Sequence, residues 1–119
     1  MDFDVELRFQ KVKSALEQKF GEGMDTQAIL FLIGVNELGL GYREFKKNEK
    51  TDLLHIAICT LLEPYGYYKY IGQDEDKWPH FELVKHLPPL NDREQQHLIK
   101  EAIIAYFIEN DYISLDLED

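Results

Sequence analysis

Tyr65–Val84, YGYYKYIGQDEDKWPHFELV, is the stretch on which the fold class turns. Tyr67, Tyr68, Tyr70 and Ile71, and later Phe81, Leu83 and Val84, form two runs with strand propensity. Between them lies Gly72–Lys77 (GQDEDK), polar and turn-like. Two such runs around a polar turn read as a β-hairpin. Pro79 lacks an amide proton, so it must start its strand or lie on an edge. Alternation then places Tyr68 and Tyr70 on one face, and Tyr67 on the other with Lys69.

The sequence on either side of the hairpin is helical. In Phe3–Phe20, Val5, Phe9, Val12, Leu16 and Phe20 recur at helical steps and form one stripe, and Gly21 ends the segment. Asp25 or Thr26 caps a second helix running to about Leu38. Its stretch Ala28–Val35 (AILFLIGV) is apolar nearly all round, and Gly39 and Gly41 break it. A third helix is expected from Thr51 or Asp52 to about Glu63, stopped by Pro64. Its stretch Leu53–Leu62 (LLHIAICTLL) is also apolar on most sides, so these two helices should form the centre of the fold. Pro88 and Pro89 punctuate the chain, and Asn91 or Asp92 caps a last helix to about Glu109. In the tail, Ile113, Leu115 and Leu117 alternate with Tyr112, Ser114 and Asp116, which suits a short third antiparallel strand on the hairpin. The expected architecture is α+β: one domain, residues 1–119, with about four helices, a hairpin and a frayed end at Glu118 and Asp119.

Composition excludes more functions than it suggests. A chain of 119 residues with 45% hydrophobic side chains can bury a core without disulfide or metal staples. Thirteen Lys and Arg against 23 Asp and Glu give a formal charge of -10, which repels nucleic-acid backbones and anionic membranes. The local exception, Tyr42–Lys50 (YREFKKNEK), reads as a solvated loop or helix flank. A single cysteine, Cys59, cannot form an internal disulfide and fits a reducing compartment. Met1-Asp2-Phe3-Asp4 is no secretory signal, and the eight-residue run Ala28–Val35 is far short of the roughly 20 residues a membrane span needs. The expectation is a cytoplasmic protein with no nucleic-acid or membrane partner.

Each candidate site has a plainer alternative. His55 and Cys59 lie four residues apart on one helix, a spacing suited to two metal ligands, with His80, His86, His97 or Glu63 as further ligands that spacing does not select. The pair also has the separation of a thiol and its base, but a reactive thiol needs an electropositive, partly exposed setting. The plainer reading is a core histidine beside a cysteine acting as a small hydrophobe. Asn36 falls on the stripe of Ile29 and Leu32, where a buried amide would line a pocket or satisfy a backbone group at the helix end. Asp74-Glu75-Asp76 lacks the ligand spacing of a calcium loop and reads as a solvated hairpin tip. Gly39-Leu40-Gly41 follows a helix and is no phosphate loop. Glu37 and Glu63 end apolar helices, where a carboxylate opposes the helix dipole, and can border a cleft or simply be solvated.

The aromatic cluster is the least easily absorbed feature. Tyr65, Tyr67, Tyr68, Tyr70 and Trp78, joined by His80 and Phe81, cannot all pack on one small core from both faces of a ribbon. Tyr and Trp make good contact surface because they are large, amphipathic and stiff. The alternative is that the third strand and the last helix cover them.

FLIGVNELG (Phe31–Gly39), DLLHIAICTLLEPYGYY (Asp52–Tyr68) and KWPHF (Lys77–Phe81) resemble stretches of a group of small acidic bacterial proteins with no assigned function. The resemblance covers most of the chain and implies a bacterial cytosolic domain. It carries no activity, cofactor, partner or site residue across.

The leading expectation is a non-enzymatic protein-interaction module, an adaptor or regulator, binding through Tyr67, Tyr68, Tyr70, Trp78 and His80. Ile104 and Ile108 lie opposite Leu98, Ala102 and Tyr106 on the last helix, so a homodimer would bury a second apolar face. The alternative is a small enzyme, or a ligand- or metal-binding protein, with a site near His55, Cys59, Trp78 and His80. No catalytic residue or cofactor is assigned. Mimicry of nucleic acid by the acidic surface is a third reading, without carboxylates spaced to carry it.

Overall fold

The computed structural model of the chain describes residues 2–41 and 43–110. The architecture is α+β and 63% helical, with four α-helices and a two-stranded antiparallel sheet among the described residues. In order these are α1 (Asp2–Phe20), α2 (Thr26–Leu38), α3 (Lys47–Leu62) with a 3-10 turn (Glu63–Tyr65), β1 (Tyr68–Gln73), β2 (Pro79–Leu83) and α4 (Asp92–Glu109). Internal contacts group them into two units, one holding α1 and α4, the other, Asp25–Leu87, holding α2, α3 and the hairpin. The tail strand expected at Ile113–Leu117 lies outside the described residues.

In the first unit, Phe9, Val12 and Leu16 of α1 and Ala102, Ile103, Tyr106 and Phe107 of α4 are buried. The helices are also joined by charge: Lys100 Nζ donates to Glu6 Oε2 at 2.8 Å and Oε1 at 3.1 Å, and lies 5.2 Å from the Phe9 ring centre. That ammonium holds the Glu6 carboxyl below the usual glutamate range. The α1 stripe stops one turn short of its expected end, because Phe20 is 51% exposed with Lys19 beside its ring. Capping of α4 is reciprocal: Glu94 N donates to Asn91 Oδ1 and Asn91 N to Glu94 Oε1. On the second face expected for α4, Ile104 is only 6% exposed and Ile108 is half-buried.

The second unit is built on two helices in backbone contact. Asp25 caps α2, its Oδ1 accepting from Ala28 N at 2.8 Å, and Gly39 ends it with φ +74° and its N–H on the Val35 carbonyl. Gly34 has no room for a side chain, since an added Cβ would lie 2.3 Å from the Leu53 carbonyl oxygen. α3 begins at Lys47, earlier than the Thr51 or Asp52 expected. Its first turn is polar and carries no apolar rhythm; Glu49 sets it instead, reaching back to accept from Lys46 N at 2.9 Å.

Val35, Leu38, Phe45, Leu53 and Ile56 form a buried cluster, against which Phe31, Trp78 and Phe81 pack. Phe45, from the α2–α3 connection, stands edge-on to Phe31 at 5.9 Å and to Trp78 at 6.5 Å. The Arg43 guanidinium lies 5.0 Å from the Phe45 ring centre and 3.4 Å from Glu49, so this charge of the basic stretch is engaged locally.

Candidate functional site

The hairpin is the element that carries unusual surface. Tyr68 faces Leu83, Lys69 faces Glu82 and Tyr70 faces Phe81; the register then slips, and Gly72 faces His80. The slip leaves Ile71 as the extra residue of a β-bulge, 58% exposed. Tyr70 and Leu83 are each 45% exposed, and Val84, just past β2, is 59% exposed. The expected alternation holds for Tyr68 and Tyr70, and Pro79 is the first residue of its strand, as its missing amide requires.

The turn at the tip is organised by one carboxylate. Asp74 Oδ1 accepts from Asp76 N at 2.9 Å and from Trp78 N at 3.0 Å, while Oδ2 lies 3.0 Å from His80 Nε2. Lys77 takes a left-handed φ of +70°, with its N–H donating to the Asp74 carbonyl. The His80 contact, and then the Trp78 and Asp76 amides, hold the Asp74 carboxyl below the ordinary aspartate range. Asp74 is thus a structural hub; the sequence signal was an aspartate at the head of a turn, a residue type that bonds its own backbone two residues on.

Beneath the hairpin a cleft of about 330 Å³ is lined by Glu37, Thr60, Glu63, Tyr70, Gln73, Pro79 and Phe81. Glu37 belongs to the last turn of α2 and Thr60 to the last turn of α3, so two helix C-termini border it. Pro64 turns the chain out of α3 into the 3-10 turn, and Gly66 at φ +87° sends it back as β1. That geometry brings Glu63 Oε2 to Tyr70 N, 3.0 Å away. The Tyr70 amide therefore points away from β2. By the same alternation Phe81 and Leu83, opposite Tyr70 and Tyr68, turn their peptide groups to the outer edge of β2. The Tyr70 and Phe81 rings meet at 5.7 Å and 67° to form one aromatic wall.

Of the residues singled out from sequence, Tyr70 and His80 are exposed, whereas Tyr67, Tyr68 and Trp78 are half-buried. Lys85 lies over the Tyr67 ring at 4.8 Å, and Tyr68 meets the His55 ring at 6.3 Å. His55, Cys59, Trp78 and His80 do not form one site: His55 lies between Cys59 and Tyr68, Trp78 sits on Phe45, and His80 bonds Asp74. Cys59 Sγ is 3.4 Å from His55 Nε2, yet Cys59 is fully buried and burial pushes its thiol up to about 11. Such a thiol is protonated at neutral pH and is a poor nucleophile. No group of three His, Cys, Asp or Glu side chains among the described residues is arranged to hold a metal ion. His86 is exposed and His97 lies 4.0 Å from Glu101. Asn36 is exposed, so it is not the buried amide that its stripe suggested. No described helix is long and apolar enough to cross a membrane.

Comparison with family models, with curated proteins and with solved structures finds no match to this chain.

Proposed function

We propose that the protein is an interaction module that docks a partner protein on its hairpin. The carrying observation is the concentration of exposed apolar side chain on one small ribbon: Tyr70, Ile71, Leu83 and Val84 are each at least 45% exposed. A two-stranded sheet cannot shelter both of its faces and both of its edges, and contact surface of this kind is what partner proteins cover. The aromatic residues expected to bind divide between two tasks in this reading. Trp78 and Tyr68 brace the ribbon from below, Tyr70 lines the cleft on that same face while staying 45% exposed, and Ile71 and Val84 meet the partner.

The test is capture from native cytosol at low and high salt, followed by reconstitution of the purified pair. Wild type should retain a stoichiometric, salt-resistant partner that Ile71→Asp and Val84→Asp both release. Both side chains are exposed, so each variant should keep its stability within roughly 0.5 kcal/mol. Retention of the same partner by both variants would overturn the reading.

A further inference from the structure

We infer that β2 pairs edge to edge with β2 of a second copy of this chain, antiparallel about a two-fold axis at Phe81, to form a four-stranded sheet. The inference is independent of the docking reading, which uses Ile71 and Val84 rather than the strand edge. An open sheet edge is a row of backbone donors and acceptors ready to take another strand. The β1 edge is closed at its middle, where the Glu63 carboxylate accepts from the Tyr70 amide. The β2 edge is open. Val84 N donates inward to the Tyr67 carbonyl, so Leu83 and Phe81, in the alternate positions, turn N–H and C=O outward. Neither of those amides donates to another described residue. Pro79, next in the alternation, adds a carbonyl, and its missing amide falls on this side, where the hairpin has no use for it.

Any extended chain could meet those groups; a second copy is selected because β2 is its own complement. With Phe81 opposite Phe81 of the second copy, Leu83 falls opposite Pro79 and Glu82 opposite His80. The paired Phe81 residues exchange both of their backbone bonds, and each Leu83 amide meets a Pro79 carbonyl. On the solvent face Lys69 already stands opposite Glu82 within one hairpin. Pairing continues that row as Lys69, Glu82 and the His80 of the second copy, a carboxylate between two nitrogen-bearing side chains. His80 gives Nε2 to Asp74, and its second ring nitrogen remains a hydrogen-bonding atom. A slip to a register centred on Glu82 would instead set two carboxylates face to face. His80, Glu82 and Leu83 are all exposed in the single copy, so the contact covers open side chains. It also closes on itself, because the outer strand of each half is the β1 edge that Glu63 occupies.

The experiment is sedimentation equilibrium of the full chain from micromolar to near-millimolar concentration, with isotope-filtered NMR on an equal mixture of labelled and unlabelled protein. Salt is held at about 0.15 M, which screens the repulsion between two chains of formal charge -10. A small interface of this kind should give a dissociation constant on the order of 10–100 µM. The dimer should show a contact between copies from the Hα proton of His80 to that of Glu82, which face each other without exchanging backbone bonds. Hydrogen exchange at the Phe81 and Leu83 amides should slow as concentration rises. Leu83→Pro removes an outward amide and no bond of the hairpin itself, so it should weaken the dimer at least about tenfold with an unchanged circular dichroism spectrum. Should that variant unfold, the proton contact and the exchange rates of the wild type decide alone. A chain that stays monomeric at near-millimolar concentration would overturn the inference, as would a dimer without the contact and the slowed amides, which would join through another face. A contact between the two Glu82 Hα protons would overturn the register. If the copies stay apart while a captured partner slows the same two amides, the edge takes a strand of another protein and self-pairing is overturned.

Discussion

The α2–α3 pair and the hairpin it carries solve opposite problems with similar residues. Both are rich in large apolar side chains, yet Ile29, Ile33, Leu53 and Leu62 are fully or almost fully buried while Ile71 and Val84 are mostly exposed. The helices close on each other because Gly34 lets one backbone touch the other, at the Leu53 carbonyl. Among the described residues the sheet has two strands and one bulge, and Ile71 and Val84 find no cover within it. Stability should therefore respond to substitution in the first region, and binding to substitution in the second.

The strongest way to break that contrast is through Phe45, whose ring joins the two regions by touching both Phe31 and Trp78. Phe45→Ala should cost about 3–5 kcal/mol, a large share of the stability of a small domain, measured by urea unfolding. Trp78 fluorescence should shift to the red in the folded variant, since its edge contact is lost. A loss under about 1 kcal/mol would mean that the hairpin is braced by something other than this stack.

Gly34→Ala comes next. In an open helix the change would gain about 1 kcal/mol from propensity. Here the new methyl meets a backbone oxygen that cannot rotate away, so a net loss of about 1–3 kcal/mol is expected. A gain in thermal midpoint would show that the helices can separate cheaply and that the region is less closed than its burial implies.

How far the sequence could be read follows the same division. Both ends of α2 were legible because Asp25 and Gly39 act through their own local chemistry, a side-chain cap and a left-handed turn. The start of α3 was not, because Glu49 and Lys46 make a polar first turn with no apolar period to detect. The hairpin and its Tyr68–Tyr70 face were legible from alternation. What became of each aromatic was not, since Trp78 is covered by Phe45 from a distant connection and Tyr68 by His55 of a helix. The cleft was half legible. Glu37 and Glu63 were suspected as cleft-bordering acids, but their meeting with Tyr70, Gln73 and Phe81 depends on the angle at which the 3-10 turn launches β1.

Cys59 tests how closed the helical region is. Its thiol is raised from 9.0 to about 11 because burial disfavours the thiolate. A raised acid is stabilising where the group stays neutral. That contribution is fully present below the unfolded value of 9.0 and is lost as pH climbs from there through about 11. Iodoacetamide at pH 8 should label the folded protein far more slowly than the urea-unfolded chain. Fast labelling of the folded protein would place Cys59 in a region that opens readily and return it to consideration as a reactive thiol.

The smallest effect belongs to the hairpin tip. Asp74 is held below its ordinary value of 3.8 by His80, then by the Trp78 and Asp76 amides, so here the sign reverses. A depressed acid stabilises above its unfolded pKa, and the benefit disappears as pH falls through the folded value. Hydrogen exchange at the Asp76 and Trp78 amides should therefore stay slow at neutral pH and quicken, relative to the intrinsic rate, only below the ordinary aspartate range. Asp74→Asn keeps an acceptor for those amides and loses the charge, so it should leave exchange at neutral pH little changed and flatten its acid dependence. Global unfolding should hardly respond, because the tip is exposed and lies outside the buried cluster. If Asp74→Asn instead lowered the urea midpoint as Phe45→Ala does, the tip would be part of the cooperative core, and the division between a closed pair and an open ribbon would fail at its far end.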